Sequence, residues 1–353
     1  MLADDPDFLP EFMPKMTRAA RWILNEVKAT RRLGPDGKKI IGYGVMPFAR
    51  ATDGDEGYII ASTDCWTLAG VECFAELLKQ LNAPDCETVA AEAAEYRRDL
   101  SLAIDSVRRE DGFIDRKLTD EGQIARVFTI CAGAIHFLET DIGDPREERF
   151  RKLIEYYERN CFQGRFCGPL FDRIHYVGNS ERTMFHSWMR LRQWKKAHLA
   201  RTTFRQCGMT SDLYLTQERC SEADDAFTPW QPNASNNGRY LDLMIRRLYA
   251  EDCTAEIILL GGVAPSELAA QKTWSLRGLH TRRGRVDLVL EKENLTLTRD
   301  RPFPAGTRFV FPDYMVVACR APGVKILPDR TFEVEKPFGT LSCQVTIDPA
   351  KLL

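Results

Sequence analysis

The chain has 353 residues, enough for one large domain or two smaller domains with substantial buried cores. Its formal charge of -2, with both signs interspersed, excludes the strongly basic classes of protein that bind nucleic acid or anionic membrane surfaces. The longest apolar runs, such as 256–263, are far shorter than the roughly 20 residues that span a bilayer. Residues 1–14 are acidic and contain three prolines, unlike a secretory signal. We therefore expect a cytoplasmic protein without nucleic-acid or membrane partners.

The cysteines support the same expectation. There are 11 of them, an odd number, and none forms a CxxC pair. Cys65, Cys73 and Cys131 lie on apolar faces of predicted helices, where a thiol packs as a small hydrophobic group. Cys161 and Cys167 do not have the spacing of a zinc motif. We expect all the thiols to be reduced, and we expect neither a metal nor a cofactor.

Residues 14–251 are predicted to be mostly helical, because apolar residues recur there with a helical period. The segments 63–82 and 87–109 are separated by Asn82-Ala-Pro-Asp, which predicts an antiparallel helical hairpin. The buried stripe of the first segment is expected to contain Trp66, Gly70, Cys73, Leu77 and Leu81. Six more helices are expected, one around Trp22 and the others at 123–138, 147–158, 181–196, 197–214 and 236–250.

The pattern changes after residue 254. Short β-branched or aromatic runs, broken by Gly, Pro and Asp, follow one another at 256–261, 273–279, 285–291, 307–311, 314–319, 331–334 and 344–347. These runs predict a small antiparallel β-domain over 254–353. Because the helices come first and the strands second, we expect a helical domain over 14–251 followed by this β-domain.

Three passages combine polar and aromatic residues. The first is Gly42-Tyr-Gly-Val-Met-Pro, followed by Tyr58 and by Ser62-Thr-Asp-Cys-Trp at the start of a helix. The second is the acidic segment 218–225, followed by Phe227-Thr-Pro-Trp-Gln-Pro-Asn-Ala-Ser. The third is Leu259-Leu-Gly-Gly-Val-Ala-Pro, followed by His280-Thr-Arg-Arg-Gly-Arg at the entry to the predicted strands.

In this order the three passages resemble the six-hairpin glycosidases, over roughly residues 14–347. The resemblance implies a mainly α fold, an (α/α) toroid with a small C-terminal antiparallel β-domain, and hydrolysis of an oligosaccharide without a cofactor. A complete toroid needs twelve helices, whereas eight are predicted here. Either the count merges helices, or the chain is a short variant, or it is one part of a longer or multi-chain enzyme. In the last two cases a homo-oligomer or a completing domain would supply the rest.

Glycoside hydrolysis needs two carboxyl groups on either side of the scissile bond, separated by roughly 6.5–9.5 Å where water attacks between them. We expect Glu222 to be the proton donor, with Glu218 and Asp224 as substitutes. The opposing group is expected to be Asp64 or Asp55. The alternative role for Asp64 is that of an N-terminal helix cap, and the acidic loops have an alternative role as solvated surface turns.

Aromatic and polar side chains are expected to bind the sugar, namely Tyr58, Trp66, Glu181, His186, Trp188, Trp230 and Gln231. Three of them, Trp66, Trp188 and Trp230, are expected to line one cavity, because stacking on sugar rings needs broad apolar faces near the carboxyl groups. Glu181 and His186 have an alternative role as structural polar residues.

Two other classes of protein remain open. One is a non-catalytic carbohydrate-binding or assembly protein that keeps the toroid without the pair of carboxyl groups. The other is a lyase or epimerase on a similar toroid, which would use a His or Tyr base. Motifs for dinucleotide binding, nucleotide phosphate binding, zinc proteolysis and serine hydrolysis do not occur in the sequence.

Overall fold

A computed structural model describes the chain. It covers residues 8–48, 58–114, 117–118, 136–160, 169–171, 174–176, 179–207, 209, 215–216, 219–221, 233–251, 254–270, 273–281, 283–319 and 321–351. The helices within these residues are α1 (Phe8–Ala29), α2 (Cys65–Gln80), α3 (Cys86–Ser106), α4 (His136–Glu139), α5 (Glu148–Asn160), α6 (Asn179–Arg190), α7 (Trp194–Cys207), α8 (Ala234–Arg246) and α9 (Pro265–Ala270).

The first strands within the described residues are short. They are β1 (Tyr58–Ile59), β2 (Lys117–Leu118), β3 (Pro169–Phe171), β4 (Ile174–Tyr176), β5 (Arg219–Ser221), β6 (Tyr249–Glu251) and β7 (Glu256–Leu259). The later strands are β8 (Thr273–Thr281), β9 (Gly284–Glu291), β10 (Asn294–Phe303), β11 (Arg308–Val310), β12 (Met315–Cys319), β13 (Val324–Ile326), β14 (Phe332–Val334) and β15 (Phe338–Ile347).

The chain divides into two compact units. Unit A comprises the described residues of Asp5–Thr183 and Gln217–Gln231, and unit B comprises those of Met184–Thr216 and Pro232–Leu353. This division differs from the predicted boundary between 251 and 254, because it assigns α7 and α8 to the same unit as the later strands. The shift in secondary structure nevertheless falls where it was predicted, since α9 is the last described α-helix and strands dominate from Thr273 onward.

Unit A contains α1, α2 and α3, which share one hydrophobic core. Leu24 of α1, Phe74 of α2 and Ala93 of α3 are among the buried residues of this core. The connection between α2 and α3 is short, and neighbouring helices joined by a short loop run antiparallel. The predicted hairpin is therefore present, with Asn82 in the left-handed region at φ 51°.

Ion pairs between α1 and α3 show the relative direction of the two helices. Arg21 pairs with Asp85, Lys28 with Glu92, and Arg31 with Glu95, so that each pair is separated by 64 residues in sequence. A constant separation means that both helices advance in the same direction. The order of the three helices is therefore up, down, up. Because exposed pairs each contribute only about 0–1 kcal/mol, they fix the alignment more than they stabilise the core.

The buried face of α2 differs from the prediction. Cys65, Leu68, Val71, Phe74, Ala75 and Leu78 are buried, whereas Trp66 and Leu81 are 49% and 45% exposed. Cys73 is also exposed. Apolar residues surround most of this helix, so that spacing alone does not identify the face that packs against α1 and α3. In α3, by contrast, the apolar residues Val89, Ala93, Tyr96 and Leu100, which recur with a helical period, are all buried.

Unit B contains two five-stranded sheets. One has the strand order β13-β14-β11-β7-β6 and the other has the order β12-β15-β10-β9-β8. The pairing of β11 with β7 is parallel, and the other pairings in both sheets are antiparallel. The first sheet begins at β6, which was predicted as the end of a helix over 236–250.

A diglycine corner joins the helices of unit B to the sheet that contains β7. A Cβ atom at Gly262 would lie 2.5 Å from the Phe185 ring, and one at Gly261 would lie 3.1 Å from both Met189 and Trp194. Gly262 also donates its N–H to the Arg247 carbonyl. These two glycines therefore allow residues of α6 and the start of α7 to pack closely against the segment that follows β7.

Two local features were not predicted from the sequence. The helix predicted over 181–196 ends at Arg190, and Arg192 takes a left-handed conformation at φ 60° before α7 begins. A helix end without Gly or Pro leaves little signal in the sequence. In unit A, β3, β4 and β5 form a three-stranded sheet within the part predicted to be helical. Most of the predicted helix 123–138 lies outside the described residues.

The predictions on membranes and thiols are tested only in part. Within the described chain, no helix has the length and apolar character needed to cross a membrane. Cys65, Cys73, Cys86, Cys319 and Cys343 are free thiols in the described residues.

Candidate functional site

Asp64 lies at the start of α2, where the backbone is irregular. It is the last residue of a five-residue π-helical turn, Ile60–Asp64, that leads directly into α2. Such turns are rare and frequently occur at functional sites. Asp64 has helical backbone angles, and its side chain caps no backbone N–H of α2. The alternative role of Asp64 as a helix cap is therefore wrong.

The Asp64 carboxyl group instead holds two other segments. Its Oδ1 accepts hydrogen bonds from the Met46 N–H at 2.8 Å and from the Tyr96 hydroxyl at 2.5 Å. The Tyr96 hydroxyl also lies 2.8 Å from Oγ1 of Thr67. The side chain of Asp64 is 1% exposed. The carboxyl group thus joins the loop that ends at Met46 and helix α3 to the first turn of α2.

The loop that contains Met46 is fixed by further contacts. Thr30 donates a hydrogen bond to the Val45 carbonyl. Gly44 has φ +70°, and a Cβ atom there would lie 2.1 Å from the Asp99 carboxylate. Only glycine combines this backbone conformation with so close an approach. The passage Gly42-Tyr-Gly-Val-Met is therefore held on both sides of Val45, next to the Asp64 carboxyl group.

Burial changes the acidity of Asp64. Removal of its carboxylate from water raises the pKa of Asp64 from its ordinary value of 3.8 to about 7, and the hydrogen bonds from Tyr96 and Met46 oppose this shift. Burial therefore favours the protonated form of Asp64 up to near-neutral pH. Such a pKa allows a carboxyl group to donate a proton at neutral pH. Burial and the neighbouring charge of Asp64 raise the pKa of Tyr96, which disfavours Tyr96 as a base.

Trp66, two residues after Asp64, belongs to an aromatic and ionic cluster. The Trp66 ring is 49% exposed, and its centroid lies 5.9 Å from that of His136 in an edge arrangement. His136 Nδ1 lies 2.8 Å from the Glu139 carboxylate. The Arg182 guanidinium lies 3.7 Å from the same carboxylate and donates to the Glu139 carbonyl. The broad apolar ring of Trp66 is thus exposed to solvent, and the carboxylate of Glu139 is buried nearby.

The charges of Asp64 and Glu139 both affect the acidity of Cys65. Burial raises the pKa of the Cys65 thiol most, and the charges of Asp64 and Glu139 raise it further. Glu139 is in addition connected to α2 through its partner His136, which contacts the Trp66 ring.

Sequence reasoning missed part of this cluster. Neither Tyr96 nor His136 is among the site residues expected from the sequence. The spacing of His136 and Glu139, three residues apart on one helical face, was an available signal for a pair. The contact of Tyr96 with Asp64 joins positions 32 residues apart, and no local pattern indicates it.

The remaining predicted site residues are distributed unevenly. Tyr58 belongs to β1, which pairs with β2, and only its backbone is described. Glu181 is fully buried in α6, within unit A. The other predicted residues of the acidic loops lie outside the described residues, namely Asp55, Glu218, Glu222, Asp224, Trp230 and Gln231. In the described part of the chain, no group of three His, Cys, Asp or Glu side chains is arranged to hold a metal ion.

Two predicted sugar-binding residues belong to unit B. Trp188 is 0% exposed, so it has no free face on which a sugar ring can stack, and we assign it to the core. His186 is 4% exposed, and Nη1 of Arg246 lies 3.1 Å from its Nε2. Arg246 is in turn paired with Asp242 at 2.8 Å. These contacts support the structural alternative for His186.

Unit B also contains a cavity of about 510 Å³. Trp194, Phe311 and Phe332 line it, together with Asp313 and Asp329. None of the predicted site residues lines this cavity, so it gives no support to the carbohydrate site around Asp64.

Comparisons with known proteins return structures but no sequence match. No protein-family model and no curated protein matches the chain. One similar solved structure is Streptomyces avermitilis alpha-L-rhamnosidase complexed with L-rhamnose, with 11% identity and a TM-score of 0.48, covering 97% of this chain and 31% of the rhamnosidase. A second is a family 76 glycoside hydrolase from a bovine Bacteroides thetaiotaomicron strain, with 11% identity and a TM-score of 0.38, covering 65% of this chain and 51% of that one.

A third similar structure is a family 127 beta-L-arabinofuranosidase from Geobacillus stearothermophilus T6. It has 11% identity and a TM-score of 0.23, and the match covers 84% of this chain and 74% of that one. All three structures are glycoside hydrolases. The chain spans about a third of the rhamnosidase and about half of the family 76 enzyme. Because all three TM-scores lie below 0.5, the toroid and the catalytic activity stay predictions.

Proposed function

We propose that the protein is a glycoside hydrolase that acts on an oligosaccharide with carboxyl groups as acid and base. The observation that carries this proposal is the Asp64 carboxyl group, whose pKa is raised to about 7 by burial, two residues before the exposed ring of Trp66. A proton donor and a stacking surface are two of the elements that such a site needs, besides a second carboxyl group.

The hydrogen bonds of Asp64 indicate which oxygen carries the proton. Oδ1 accepts from both Met46 and Tyr96, whereas Oδ2 has no hydrogen-bond partner among the described residues. A proton on Oδ2 leaves both of the hydrogen bonds to Oδ1 intact. We therefore assign Oδ2 of Asp64 as the oxygen that carries the proton; because Oδ2 is buried, donation to a leaving glycosidic oxygen requires a substrate that reaches into this site. This assignment reverses the roles expected from sequence, where Asp64 opposed the donor Glu222.

The opposing carboxylate is then sought in the acidic segment. Glu222 directly follows β5, which pairs with β4 in unit A, the unit that also contains Asp64. Glu222 remains the first choice for the group that activates water or attacks the anomeric carbon, with Glu218 and Asp224 as substitutes and Asp55 as a further candidate. The sugar would stack on Trp66.

A second function, carbohydrate binding without catalysis, is favoured by the same burial. The Asp64 side chain is 1% exposed, and its hydrogen bonds hold Met46 and Tyr96 in place. A carboxyl group that serves only to hold these segments needs no contact with substrate. Exposed Trp66 would then bind sugar without any turnover.

The decisive experiment is a screen of the whole protein against aryl glycosides and natural oligosaccharides, followed by Asp64→Asn and Glu222→Gln. Each substitution is nearly isosteric, and loss of a catalytic acid or base commonly costs about 10²–10⁴ in rate. For the proton donor, the loss should be smaller with aryl glycosides, because a good leaving group needs less protonation. Asp85→Asn is the matched control, since Asp85 precedes α3 as Asp64 precedes α2 but is exposed.

The outcomes separate the two functions. Turnover that collapses in the Asp64 and Glu222 variants but not in Asp85→Asn supports the hydrolase. Full turnover by folded Asp64→Asn removes Asp64 from the mechanism. Glycan binding that depends on Trp66, without turnover by the unmutated protein, supports the binding protein.

A further inference from the structure

Two cysteines face each other across neighbouring strands of unit B. Cys319 is the last residue of β12, and Cys343 is in β15. The antiparallel register places them directly opposite, as it does Val317 and Val345 two residues away. Directly opposed residues of an antiparallel pair project from the same face of the sheet. The two thiols therefore lie on one face, next to each other.

The backbone geometry matches that of a disulfide. Opposed residues of antiparallel strands have Cα atoms about 4.5–5.5 Å apart, and disulfides join Cα atoms about 4.4–6.8 Å apart. A bond between the two sulfurs is therefore compatible with the existing pairing of β12 and β15.

Cys319 is the more reactive member of the pair. The hydrogen bonds from Cys343 and from the Ala321 N–H lower the pKa of Cys319 to about 7, against the effect of burial. Its strand is at the edge of the sheet, and its side chain is half-buried, whereas Cys343 is 5% exposed. The thiolate is the nucleophile of thiol–disulfide exchange. Solvent thus reaches the thiol that ionises more readily.

We propose that Cys319 and Cys343 are a disulfide-forming pair, with Cys319 as the attacking thiol and a low-molecular-weight disulfide such as oxidised glutathione as the oxidant. The Cys319 thiolate attacks one sulfur of the oxidant, whose S–S bond breaks and releases one thiolate. Cys343 then loses its proton to solvent and attacks the Cys319 sulfur, releasing the second thiolate. The protein loses two hydrogens, and one disulfide is reduced to two thiols.

The new bond would join two neighbouring strands of one sheet and close a loop that passes through the other sheet of unit B. The chain between Cys319 and Cys343 includes β13 and β14, which belong to the sheet that contains β7. Closing this segment covalently restricts the unfolded chain. We therefore expect the oxidised protein to have a higher Tm than the reduced protein, with the difference abolished by dithiothreitol.

The test exposes the folded full-length protein to oxidised glutathione, alkylates the remaining thiols, and maps the peptides by mass spectrometry. The expected product is a cross-link between the peptides of Cys319 and Cys343 that dithiothreitol removes. Cys343→Ser should retain a glutathione adduct on Cys319, because the second attack is lost. Cys73→Ser is the matched control, since Cys73 is exposed and belongs to α2, and this variant should form the cross-link normally.

Two results would overturn the proposal. The first is a folded, unmutated protein, verified by circular dichroism, in which both thiols remain available to the alkylating agent after oxidation. The second is a cross-link of either cysteine to a different partner. Because the mapping of the unmutated protein decides the matter alone, a variant that fails to fold does not weaken the test.

Discussion

At the scale of the single residue, Asp64 shows how burial converts a common side chain into an unusual acid. The sequence indicated an acidic residue beside a tryptophan at a helix start, and the structure has both. The role of Asp64 was harder to predict, because it depends on Tyr96 and Met46, which lie 32 and 18 residues away. Hydrogen bonds between distant positions leave no local pattern, and the exposure of Trp66 was not predicted either, because apolar residues surround most of α2.

The pKa of Asp64 makes a prediction for stability. In the unfolded chain this carboxyl group loses its proton near 3.8, whereas in the folded protein it keeps the proton until about pH 7. Between these values the folded state binds a proton that the unfolded state does not, so the free energy of unfolding decreases as pH rises. The cost is complete above about pH 7.

Asp64→Asn should not show this decrease, because its side chain does not titrate. Each tenfold change in proton affinity corresponds to about 1.4 kcal/mol, so the stability of the unmutated protein relative to Asp64→Asn should fall by on the order of 4 kcal/mol from acid to neutral pH. Urea unfolding of both proteins across this range measures the difference. Stability profiles that stay parallel would show that the Asp64 carboxyl group ionises normally.

At the scale of the element, Gly262 and Gly238 differ in the space around them. Gly262 lies at the corner where a Cβ atom would be 2.5 Å from Phe185 and 2.6 Å from the Arg247 Cβ atom. Gly238 lies within α8, where an added Cβ atom meets nothing within 4 Å. Packing at Gly262 leaves no room for a larger side chain, whereas Gly238 only lowers the helix propensity of α8.

Alanine at these two positions should therefore have opposite effects. Gly262→Ala should destabilise the protein by roughly 1–3 kcal/mol, because a tightly packed site must shift to accept the methyl group. Gly238→Ala should stabilise it by roughly 0.5–1 kcal/mol, because alanine is the better helix former. Chemical unfolding of the two variants gives both values in one assay. A Gly262→Ala protein as stable as the unmutated one would show that the corner is looser than the distances indicate.

At the scale of the whole molecule, the order of helices before strands was predicted, but the way in which the chain divides was not. Residues 184–216 and 232–251 were assigned with the earlier helices because they share a helical pattern. They pack instead with the strands, through Gly261, Gly262 and the pairing of β6 with β7. The hydrophobic period of a segment identifies it as a helix or a strand, but it does not identify what the segment packs against. The apolar face of α7, for example, does not specify whether a helix or a sheet will cover it.

Truncation after residue 251 tests this division. If the predicted domain boundary were correct, residues 1–251 would fold alone. We expect the opposite, because β6 would lose β7, and Arg201 and Arg247 would lose their shared partner Glu267 at 2.9 and 3.2 Å. Leaving buried charges without a partner is strongly destabilising. We expect the truncated chain to be aggregated or partly unfolded in size-exclusion chromatography and circular dichroism, whereas a monodisperse, cooperatively unfolding fragment would restore the predicted boundary.

The junction of Thr216 and Asn233 has a consequence for how such a protein can change over time. The Asn233 N–H donates to the Thr216 carbonyl, and the Thr216 hydroxyl donates to the Asn233 carbonyl, both at 2.9 Å. The chain thus leaves and returns at one fixed point, and the intervening segment contains Glu218, Glu222, Asp224, Trp230 and Gln231. Because the entropy of closing a loop grows slowly with its length, residues can be inserted in this segment, outside the paired strand β5, at small thermodynamic cost. If the protein is the proposed hydrolase, its substrate preference can therefore diverge here while the scaffold around the junction remains the same.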